Sequence, residues 1–411
     1  IEGHYQSGLQ TGTWKYFHEN GKLKSQTEYV NDLQEGELHL KPLYYSVDPY
    51  MRGKMNEGKS YTAPFEVNKP LAGGGIAKVL ESKDENFKEG DIVLGMLPWS
   101  TEFIVPAKGF QKVDANVPRL SDYLGILGMP GLTAYFGLLD IGKPKAGETV
   151  VVSGAAGAVG LVVGQIAKIY GCHVVGIAGS DEKVKMLKEK FGFDEAINYK
   201  TENVEEMIGK TCPKGVDIYF DNVGGEISDA VIKHINFHAR IPLCGQISLY
   251  NAKEVPTGPR LQPILLTRSV LMQGFIVGNF SSRFAEGMKS LSKWVEEGKL
   301  IYTETIIEGF DKLPEALLGL FSGDNNGKMI APLFVREIRR LGNPIEQYQA
   351  RVIDPKICSD ATLGKVKKMM EGVVDDKKFG SGYNIIHNPL YRVAGKTGTA
   401  QVANGALGYK G

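Results

Sequence analysis

Three glycines at a fixed spacing are the feature that most constrains the fold of this 411-residue chain. Gly154, Gly157 and Gly160 follow an apolar strand predicted at 149–153 and open a helix predicted at 158–170. Gly154 permits a tight turn, Gly157 lets the main chain approach a pyrophosphate, and Gly160 allows close packing of the helix on the strand. The helix N-terminus offers free N–H groups to an anion. The pattern predicts a dinucleotide-binding unit; the open alternative is a close-packed corner without a ligand.

Strand and helix patterns alternate after residue 149. Repeated strand–helix units predict a parallel sheet that is covered by helices on both faces. The predicted strands are 149–153, 172–177, 195–198, 216–221 and 240–244, and the predicted helices are 158–170, 181–191 and 227–235. Shorter strands separated by glycine turns come before them and predict a β-barrel. These strands are 37–43, 74–81, 91–97 and 102–106. The fold class is therefore α/β, with a barrel followed by a doubly wound parallel sheet.

The end of the second strand of this sheet indicates which dinucleotide is bound. Chains that bind NAD place Asp or Glu there for the ribose hydroxyls, whereas this strand ends in Ala178, Gly179 and Ser180. Asp181 comes one position late and is expected to open a helix. Lys183 lies in the first turn of that helix, where the helix dipole does not favour a cation, so a nearby anion would explain it. A 2′-phosphate is such an anion and favours NADPH; the open alternative is a solvated surface lysine.

Composition and cysteine usage exclude several classes of function. The formal net charge is +1, so no global basic field attracts nucleic acid or anionic lipid. The four cysteines form no C-x-x-C pair and none precedes Cys172, so the Cys/His/Cys set of a zinc alcohol dehydrogenase is missing. His234 and His238 are four residues apart but lack a third ligand, and a structural role at a helix end is expected. No metal site, disulfide framework, secretory signal or membrane span is predicted, and a cytoplasmic location is the simplest.

Both ends of the chain differ from the middle in sequence pattern and composition. Residues 1–35 carry an internal repeat, and Asn20-Gly21 between two apolar runs predicts a β-hairpin at 1–32. This segment resembles a MORN-type repeat. Residues 336–411 carry 13 Lys and Arg against 7 Asp and Glu, and a helix is predicted at 361–374. The last 76 residues are therefore expected to be an appended piece.

The C-terminal piece has a resemblance of its own. Residues 352–359 and Lys396-Thr397-Gly398 resemble the C-terminal part of a penicillin-binding transpeptidase. The Ser-x-Asn motif of those enzymes is absent from the sequence, and the Ser-x-x-Lys at Ser180 and Lys183 lies beside the predicted cofactor site. A disconnected fragment is therefore expected, not a β-lactam-binding site.

Five motifs in the middle of the chain carry a specific resemblance. They are Ser46-Val47-Asp48-Pro49-Tyr50-Met51-Arg52, Gly128-Met129-Pro130-Gly131-Leu132-Thr133-Ala134-Tyr135, Ala155-Ala156-Gly157-Ala158-Val159-Gly160, Phe220-Asp221-Asn222-Val223-Gly224-Gly225 and Gly323-Asp324-Asn325-Asn326-Gly327-Lys328. Over about residues 33–330 the chain resembles the zinc-independent medium-chain dehydrogenase/reductases, in the branch of prostaglandin reductases and alkenal double-bond reductases. The resemblance implies a GroES-like barrel domain at 33–125, completed by about 296–335, and a Rossmann domain at 126–295. It also implies NADPH, hydride transfer to the α,β double bond of an enone or enal or to a quinone, and a homodimer.

The resemblance also assigns roles to individual residues. It places the pyrophosphate on the glycine turn, at Gly154, Ala156, Gly157, Ala158, Val159 and Gly160. It places the 2′-phosphate on Lys183 and Tyr199. The rest of the cofactor would be lined by Asn222, Cys244, Gly245, Gln246, Ile247, Ser248, Tyr250, Phe275, Ile276, Val277, Gly278 and Asn325. Tyr250 is the candidate donor to the enolate or to the nicotinamide ribose, and Tyr50 is the candidate for positioning the substrate. For each tyrosine, a packed aromatic residue is the open alternative.

The departures from that family leave alternatives for the function. The family normally supplies its first barrel strands from a segment that is replaced here by the hairpin at 1–32. A chimera that binds the cofactor without turnover therefore stays open beside the NADPH-dependent reductase. A penicillin-binding transpeptidase fragment is the third alternative and is disfavoured.

Overall fold

The computed structural model describes residues 33–57, 60–115, 117, 119–254 and 256–333, and the main chain of five strands outside 33–333. The chain divides into two compact units, 1–335 and 336–411. In the second unit the strands Glu337–Arg340 and Asn343–Gln347 pair antiparallel. The helix predicted at 361–374 and the motifs resembling a transpeptidase lie outside the described residues.

The first unit begins with an antiparallel sheet in the order β1-β2-β3. Its strands are β1 (Glu2–Gln6), β2 (Leu9–Phe17) and β3 (Leu23–Tyr29). Tyr16 pairs with Ser25, in the register of a two-residue turn at Asn20-Gly21, but the register then shifts by one residue and Phe17 pairs with Leu23. The predicted hairpin is therefore confirmed in its strands, while the turn residues lie outside the described residues. Strand β1 had no sequence prediction.

The barrel sheet begins after residue 36. Its first elements are β4 (Glu37–Ser46), α1 (Tyr50–Gly53), β5 (Ala72–Ser82), β6 (Ile92–Pro98), β7 (Phe103–Pro106) and β8 (Gln111–Lys112). In β4, Leu38 and Leu40 are fully buried while His39 and Lys41 are partly exposed, because successive residues of a strand point to opposite faces. The four strands predicted for this part are all present, each with slightly different ends.

A parallel sheet with helices on both faces follows. Its elements are α2 (Met129–Phe136), β9 (Thr149–Ser153), α3 (Ala158–Ile169), β10 (His173–Ala178), α4 (Asp181–Glu189), β11 (Glu195–Asn198), α5 (Val204–Thr211), β12 (Val216–Phe220), α6 (Gly225–Ile232), β13 (Ile235–Leu243), α7 (Gln262–Thr267), β14 (Leu271–Gly274) and α8 (Phe284–Glu296). The strand order is β11-β10-β9-β12-β13-β14, and neighbouring strands are parallel. The chain runs outward from β9 in one direction and from β12 in the other, so the carboxyl ends of these two strands form the crevice where such sheets bind ligands.

The chain then returns to the barrel through β15 (Glu304–Ile306), α9 (Leu313–Ser322) and β16 (Lys328–Pro332). The barrel sheet has the order β15-β16-β4-β5-β6-β8, with β7 paired to β4. Short 3₁₀-helices lie at Leu120–Leu124, Ile247–Leu249, Val277–Arg283 and Phe310–Lys312, and a short π-helix lies at Gly137–Gly142. The α/β class and the barrel followed by a Rossmann sheet are confirmed.

The two connections between barrel and Rossmann sheet contact each other. The hydroxyl of Tyr302, on the returning connection, donates to Asp122 on the outgoing one. The guanidinium of Arg119 lies 4.2 Å from the centre of the Tyr302 ring and 3.9 Å from a carboxylate oxygen of Glu304. Burial raises the pKa of both Asp122 and Glu304, because it removes solvent from their charged forms. The contacts that join the two connections therefore carry a desolvation cost.

The expectation for the two histidines is wrong in part. Helix α6 ends at Ile232 and strand β13 begins at Ile235, five residues before the predicted strand start at 240. His234 lies at the helix end, where its N–H donates to the carbonyl of Val231, but His238 lies inside β13. The buried Ile235 pairs with Val216 and starts the strand early. A helical spacing of four therefore does not relate the two histidines.

Candidate active site

The turn between β9 and α3 is built around two constrained glycines. Gly154 has a φ of +57°, which L side chains rarely adopt. A Cβ on Gly160 would lie 2.4 Å from the carbonyl oxygen of Gly154, so any side chain there would push helix and turn apart. A Cβ on Gly157 would meet only the same oxygen, at 3.2 Å. The first N–H groups of α3 have no partner within the helix, so this turn suits an anion.

Strand β10 ends without a carboxylate for ribose hydroxyls. Ser180 caps helix α4, since its hydroxyl accepts the Lys183 N–H at 3.3 Å. Asp181 is the first residue of α4, as expected, and its carboxylate accepts the side-chain amide of Asn198 at 2.7 Å. Asp181 therefore holds the ends of two strands together, and the position that selects NAD stays without an acid.

Positive charge collects beside this strand end. The ammonium of Lys183 donates to the carbonyl of Gly323 at 2.5 Å. Burial and then the neighbouring Lys200 lower the pKa of Lys183, while Asp324 opposes them. Tyr199 lies alongside, with its hydroxyl 3.0 Å from where a Cβ of Gly179 would stand. Two lysines that repel each other beside an exposed phenol fit a phosphate dianion, because an anion between them would relieve the repulsion.

The loop 323–328 of the barrel reaches this turn. The Gly327 N–H donates to the carbonyl of Ala156 at 2.8 Å, and Gly327 has a φ of +70°. The side-chain amide of Asn325 donates to the carbonyl of Gly327 at 2.8 Å, so the predicted cofactor ligand Asn325 also shapes its own loop. Through Gly323 and Gly327 the loop contacts both predicted phosphate sites.

Asp221 organises the crevice between β9 and β12. Its carboxylate is fully buried and accepts six hydrogen bonds between 2.9 and 3.2 Å. The donors are Ser153, Tyr219, Val223, Gly224, Ser228 and Gln246. The next residue, Asn222, donates its side-chain amide to the carbonyl of Ser153 at 2.8 Å. The carboxylate thus fixes the turn after β12 against the end of β9.

The segment 244–250 lies along this turn. The N–H groups of Cys244 and Gly245 both donate to the Asp221 carbonyl, and that of Ser248 donates to Val223. Burial and the charge of Asp221 raise the pKa of Cys244 to about 12, so this thiol is not a thiolate at neutral pH. The predicted residues Gln246 and Ile247 lie between these contacts.

The predicted residues 275–278 are divided between core and surface. Phe275 is 9% exposed and packs its ring edge-on against Phe220 at 6.2 Å. Ile276 is exposed, and a Cβ on Gly278 would meet nothing within 4 Å. Val277 is partly buried against the same core. The Phe275 ring therefore belongs to the core, while 276 and 278 border open space.

Three tyrosines meet where the barrel faces the Rossmann sheet. Burial and then Asp48 and Tyr61 raise the pKa of Tyr50. Burial, Cys244 and Asp221 raise the pKa of Tyr250, whose hydroxyl oxygen accepts the Gln246 N–H at 3.3 Å. Loss of solvation and the charge of Tyr250 raise the pKa of Tyr61. All three phenols therefore stay protonated through neutral pH and can donate to an oxyanion.

A hydrogen bond across the cleft holds two of these tyrosines in place. Nε of Arg52, in the same helical turn as Tyr50, donates to the side-chain oxygen of Asn251 at 2.7 Å. Asn251 follows Tyr250 directly in the chain, so the bond joins residues 199 positions apart. The segments that carry the predicted catalytic residues Tyr50 and Tyr250 are thus joined, and their catalytic roles stay a prediction.

Sequence reasoning missed three residues of this site. Lys200 follows the predicted phosphate ligand Tyr199 directly, and its charge was the available signal. Tyr61 lies in a stretch without a readable pattern. Asp221 was quoted within a motif but given no role, although an acid directly after an apolar strand is a signal for a buried, hydrogen-bonded carboxylate.

Comparison with known proteins identifies the family. A family described as the N-terminal domain of oxidoreductase matches residues 16–113, and one described as zinc-binding dehydrogenase matches 158–293. YfmJ of Bacillus subtilis, an NADP-dependent oxidoreductase by name, is 56% identical over 311 residues, or 75% of this chain and 91% of its own. The NADPH-dependent curcumin reductase of Escherichia coli is 43% identical over 301 residues, 72% of this chain and 87% of its own. The chain belongs to the medium-chain dehydrogenase/reductase family.

A solved structure of this family holds the cofactor. CurA of Vibrio vulnificus in complex with NADPH is 39% identical, has a TM-score of 0.71 and is matched over 79% of this chain and 98% of its own. The family match at 16–113 begins inside the segment that resembles a MORN repeat, so the oxidoreductase relationship starts earlier than the predicted residue 33. The resemblance to a MORN repeat stays a prediction.

The C-terminal piece matches a different family. A family described as the penicillin binding protein transpeptidase domain matches residues 324–411. The match starts within the loop 323–328 of the barrel and continues through the second unit. The resemblance predicted for this piece is confirmed.

The described residues hold neither a metal-ligand cluster nor a membrane-spanning helix. No group of three or more His, Cys, Asp or Glu side chains in this part of the chain is placed to hold a metal ion. None of the helices described there is long and apolar enough to cross a membrane.

Proposed function

We propose that the chain reduces the α,β carbon–carbon double bond of enones and enals with NADPH. The observation that carries this proposal is the hydrogen bond from Arg52 to Asn251, because it joins the segment of Tyr50 to that of Tyr250. The names of the curcumin, 2-alkenal and prostaglandin reductases to which the chain is 43–47% identical support it. NADPH, when bound, supplies a hydride for the β-carbon of the substrate.

We propose that the glycine turn and the lysines hold this cofactor. The N–H groups at the start of α3, around Gly157, bind the pyrophosphate, and Lys183, Tyr199 and Lys200 bind the 2′-phosphate. Residues 244–250 and 276–278 line the remaining cofactor with Asn222 and Asn325. The unpartnered helix N–H groups and the repelling lysines both fit a negatively charged ligand.

The protonated phenols perform the polar half of the reaction. As a hydride adds to the β-carbon, the electron pair of the double bond moves onto the carbonyl oxygen, which becomes an enolate oxygen. Tyr250 donates a hydrogen bond to that oxygen, and Tyr50 orients the carbonyl from the barrel side. The α-carbon then takes a proton from solvent, which completes the reduction.

Purified protein mixed with NADPH is expected to consume it in the presence of enones, enals or quinones. The fall of nicotinamide absorbance measures the rate, and mass spectrometry of the product detects the added hydrogens. NADPH labelled with deuterium at the nicotinamide is expected to place deuterium on the β-carbon. Binding of NADPH without oxidation by any substrate would instead indicate the inactive chimera. Covalent labelling by fluorescent penicillin would support the transpeptidase alternative.

Replacing Lys183 by Ala is expected to weaken NADPH binding by about ten- to a hundredfold and to leave NADH binding unchanged, because only NADPH carries the 2′-phosphate. Titration calorimetry with both cofactors measures this. Lys185→Ala, in the same helix and exposed, is the matched control and should change neither affinity. Equal loss of both cofactors in Lys183→Ala would show that Lys183 only anchors the loop at Gly323.

We also propose that the protein is a cytoplasmic homodimer. Strand β14 lies at the edge of the parallel sheet, Leu271 on it is 46% exposed, and Phe237 and Leu266 on neighbouring elements are 70% and 81% exposed. An open edge flanked by apolar side chains suits pairing with a second copy, which supports a homodimer.

Cys172, Cys212 and Cys244 are free thiols, which supports a cytoplasmic location.

The domain limits are likewise a proposal. The barrel sheet contains residues from 37–112 and 304–332, and the parallel sheet contains residues from 149–274, which supports domains at 33–125 with 296–335 and at 126–295. Residues 1–32 and 336–411 then flank a two-domain reductase.

A further inference from the structure

Asp221 carries a buried charge that the proposed reaction does not use. Its six hydrogen-bond donors include two main-chain N–H groups, at Val223 and Gly224. Each of the six donors reaches a carboxylate oxygen, and the two main-chain N–H groups can only donate. Among the described residues no Lys, Arg or His forms an ion pair with it. The carboxylate is therefore fully buried, with donors on both oxygens and no cation beside it in this part of the chain.

The field of this charge reaches the place proposed for the nicotinamide. Asp221 accepts the Gln246 side-chain amide at 3.2 Å, and its main-chain carbonyl accepts the N–H groups of Cys244 and Gly245. The same charge contributes to the raised pKa of Cys244 and of Tyr250. Each of these residues belongs to the segment 244–250 that is proposed to line the cofactor, and Tyr250 in it is proposed to donate to the substrate oxygen beside the nicotinamide.

We infer that Asp221 is a positioning residue that makes the bound cofactor a stronger hydride donor, by stabilising the oxidised, cationic nicotinamide over the reduced, neutral one. This inference rests on the proposed function. The nicotinamide ring gains one positive charge when it gives up a hydride, and a fixed negative charge nearby lowers the free energy of that product. The hydrogen bonds around Asp221 fix the position of this charge before the hydride leaves, so the protein does not have to rearrange during the reaction.

The same charge has a consequence for binding. A carboxylate that favours the cation makes NADP⁺ bind more tightly relative to NADPH. By thermodynamic linkage, the ratio of the NADP⁺ and NADPH affinities equals the factor by which binding changes the equilibrium constant for loss of the hydride. The ratio of the two dissociation constants therefore measures the effect without any turnover.

Asp221→Asn removes the charge and can keep the hydrogen bonds. Oδ1 of the amide can accept the four donors that now share one carboxylate oxygen. The amide nitrogen then faces Ser228 and Gln246. Both can become acceptors, since a hydroxyl rotates and the Gln246 amide can flip. The variant is thus a change of charge more than of shape.

A second variant neutralises the charge while leaving Asp221 in place. Gln246→Lys puts an ammonium group where the Gln246 amide now donates to the carboxylate. Gln246 is partly exposed, so this change does not depend on repacking the core. Gln246→Leu is its control, because it removes the contact without adding charge. Asp217→Asn is the control for Asp221→Asn, since Asp217 lies at the other end of the same strand and accepts the Thr149 N–H at 2.8 Å.

The experiment is titration calorimetry of NADPH and NADP⁺ against all five proteins at pH 7, with thermal unfolding as a check of folding. In Asp221→Asn and Gln246→Lys the ratio of the NADP⁺ to the NADPH dissociation constant is expected to rise about tenfold, the order for unit charges interacting through a protein interior. In Asp217→Asn the ratio should stay within twofold of the wild type, and Gln246→Leu measures the part of the change in Gln246→Lys that comes from losing the amide.

The outcomes separate this inference from the proposed function. A folded Asp221→Asn or Gln246→Lys protein with an unchanged ratio overturns the inference, and so does an equal loss of both affinities, which indicates a purely structural role. If Asp221→Asn does not fold, Gln246→Lys alone decides. Failure of the wild-type protein to bind either cofactor overturns the proposed function itself.

Discussion

Replacing Lys328 by Met is expected to lower the free energy of unfolding by about 3–5 kcal/mol. The ammonium of Lys328 lies 2.8 Å from a carboxylate oxygen of Asp48, and only 4% and 7% of the two side chains are exposed. Lys328 also donates to the carbonyl of Val47 at 2.8 Å. Methionine would fill the space but leave Asp48 buried with only the Ser46 hydroxyl to donate to its carboxylate. Denaturation by urea, followed by circular dichroism, measures the loss.

Two controls separate the buried charge from the change of side chain. Lys312→Met breaks an exposed pair with Glu315, 2.9 Å apart, and is expected to change stability by less than about 1 kcal/mol. The double variant Lys328→Met with Asp48→Asn removes the stranded charge and should recover part of the loss. Equal midpoints for Lys328→Met and Lys312→Met would mean that water reaches Asp48.

Replacing Tyr250 by Phe is expected to reduce kcat/KM for enones by about 10²- to 10³-fold, as for the loss of an oxyanion donor. The Tyr250 oxygen accepts the Gln246 N–H, which leaves its own proton free for the substrate. The raised pKa of Tyr250 keeps that proton in place as pH rises, so activity should not fall between pH 7 and pH 9 through this group. Steady-state kinetics with one enone and saturating NADPH measure both effects.

The binding of NADPH distinguishes the two roles open for Tyr250. An unchanged NADPH dissociation constant in Tyr250→Phe indicates a donor to the enolate, whereas a clear loss indicates a donor to the nicotinamide ribose. Tyr170→Phe, at the exposed end of α3, is the matched control and should leave the kinetics unchanged. Full activity in Tyr250→Phe would show that this tyrosine is a packed aromatic residue.

The sequence predicted those parts of the fold that depend on local pattern. The limits of β9 and β11 agree residue for residue, because each is a short strand that ends at a turn. The start of β13 was predicted five residues too late, at 240, and the preceding helix was predicted to reach 235 although α6 ends at Ile232. Burial of Ile235, which no local pattern announces, sets that boundary.

The parts of the candidate site that lie within one local sequence motif could be predicted. The glycine turn and Lys183 follow directly from strand ends, whereas Tyr199 follows from the resemblance to the family. Contacts between distant segments did not follow: Arg52 to Asn251 spans 199 positions, and Lys328 to Asp48 spans 280. Such pairs depend on how the sheets pack, and a single sequence holds no record of that.

The order of strands in the barrel has a consequence for synthesis on the ribosome. Strand β16 pairs with β4, so the sheet that starts at residue 37 cannot be completed until residue 332 has been made. The parallel sheet is formed by one continuous stretch and can fold while the barrel strands wait. The edge of β4 that pairs with β16 therefore stays open while nearly 300 further residues are translated. During that interval chaperones or neighbouring segments must cover the early strands.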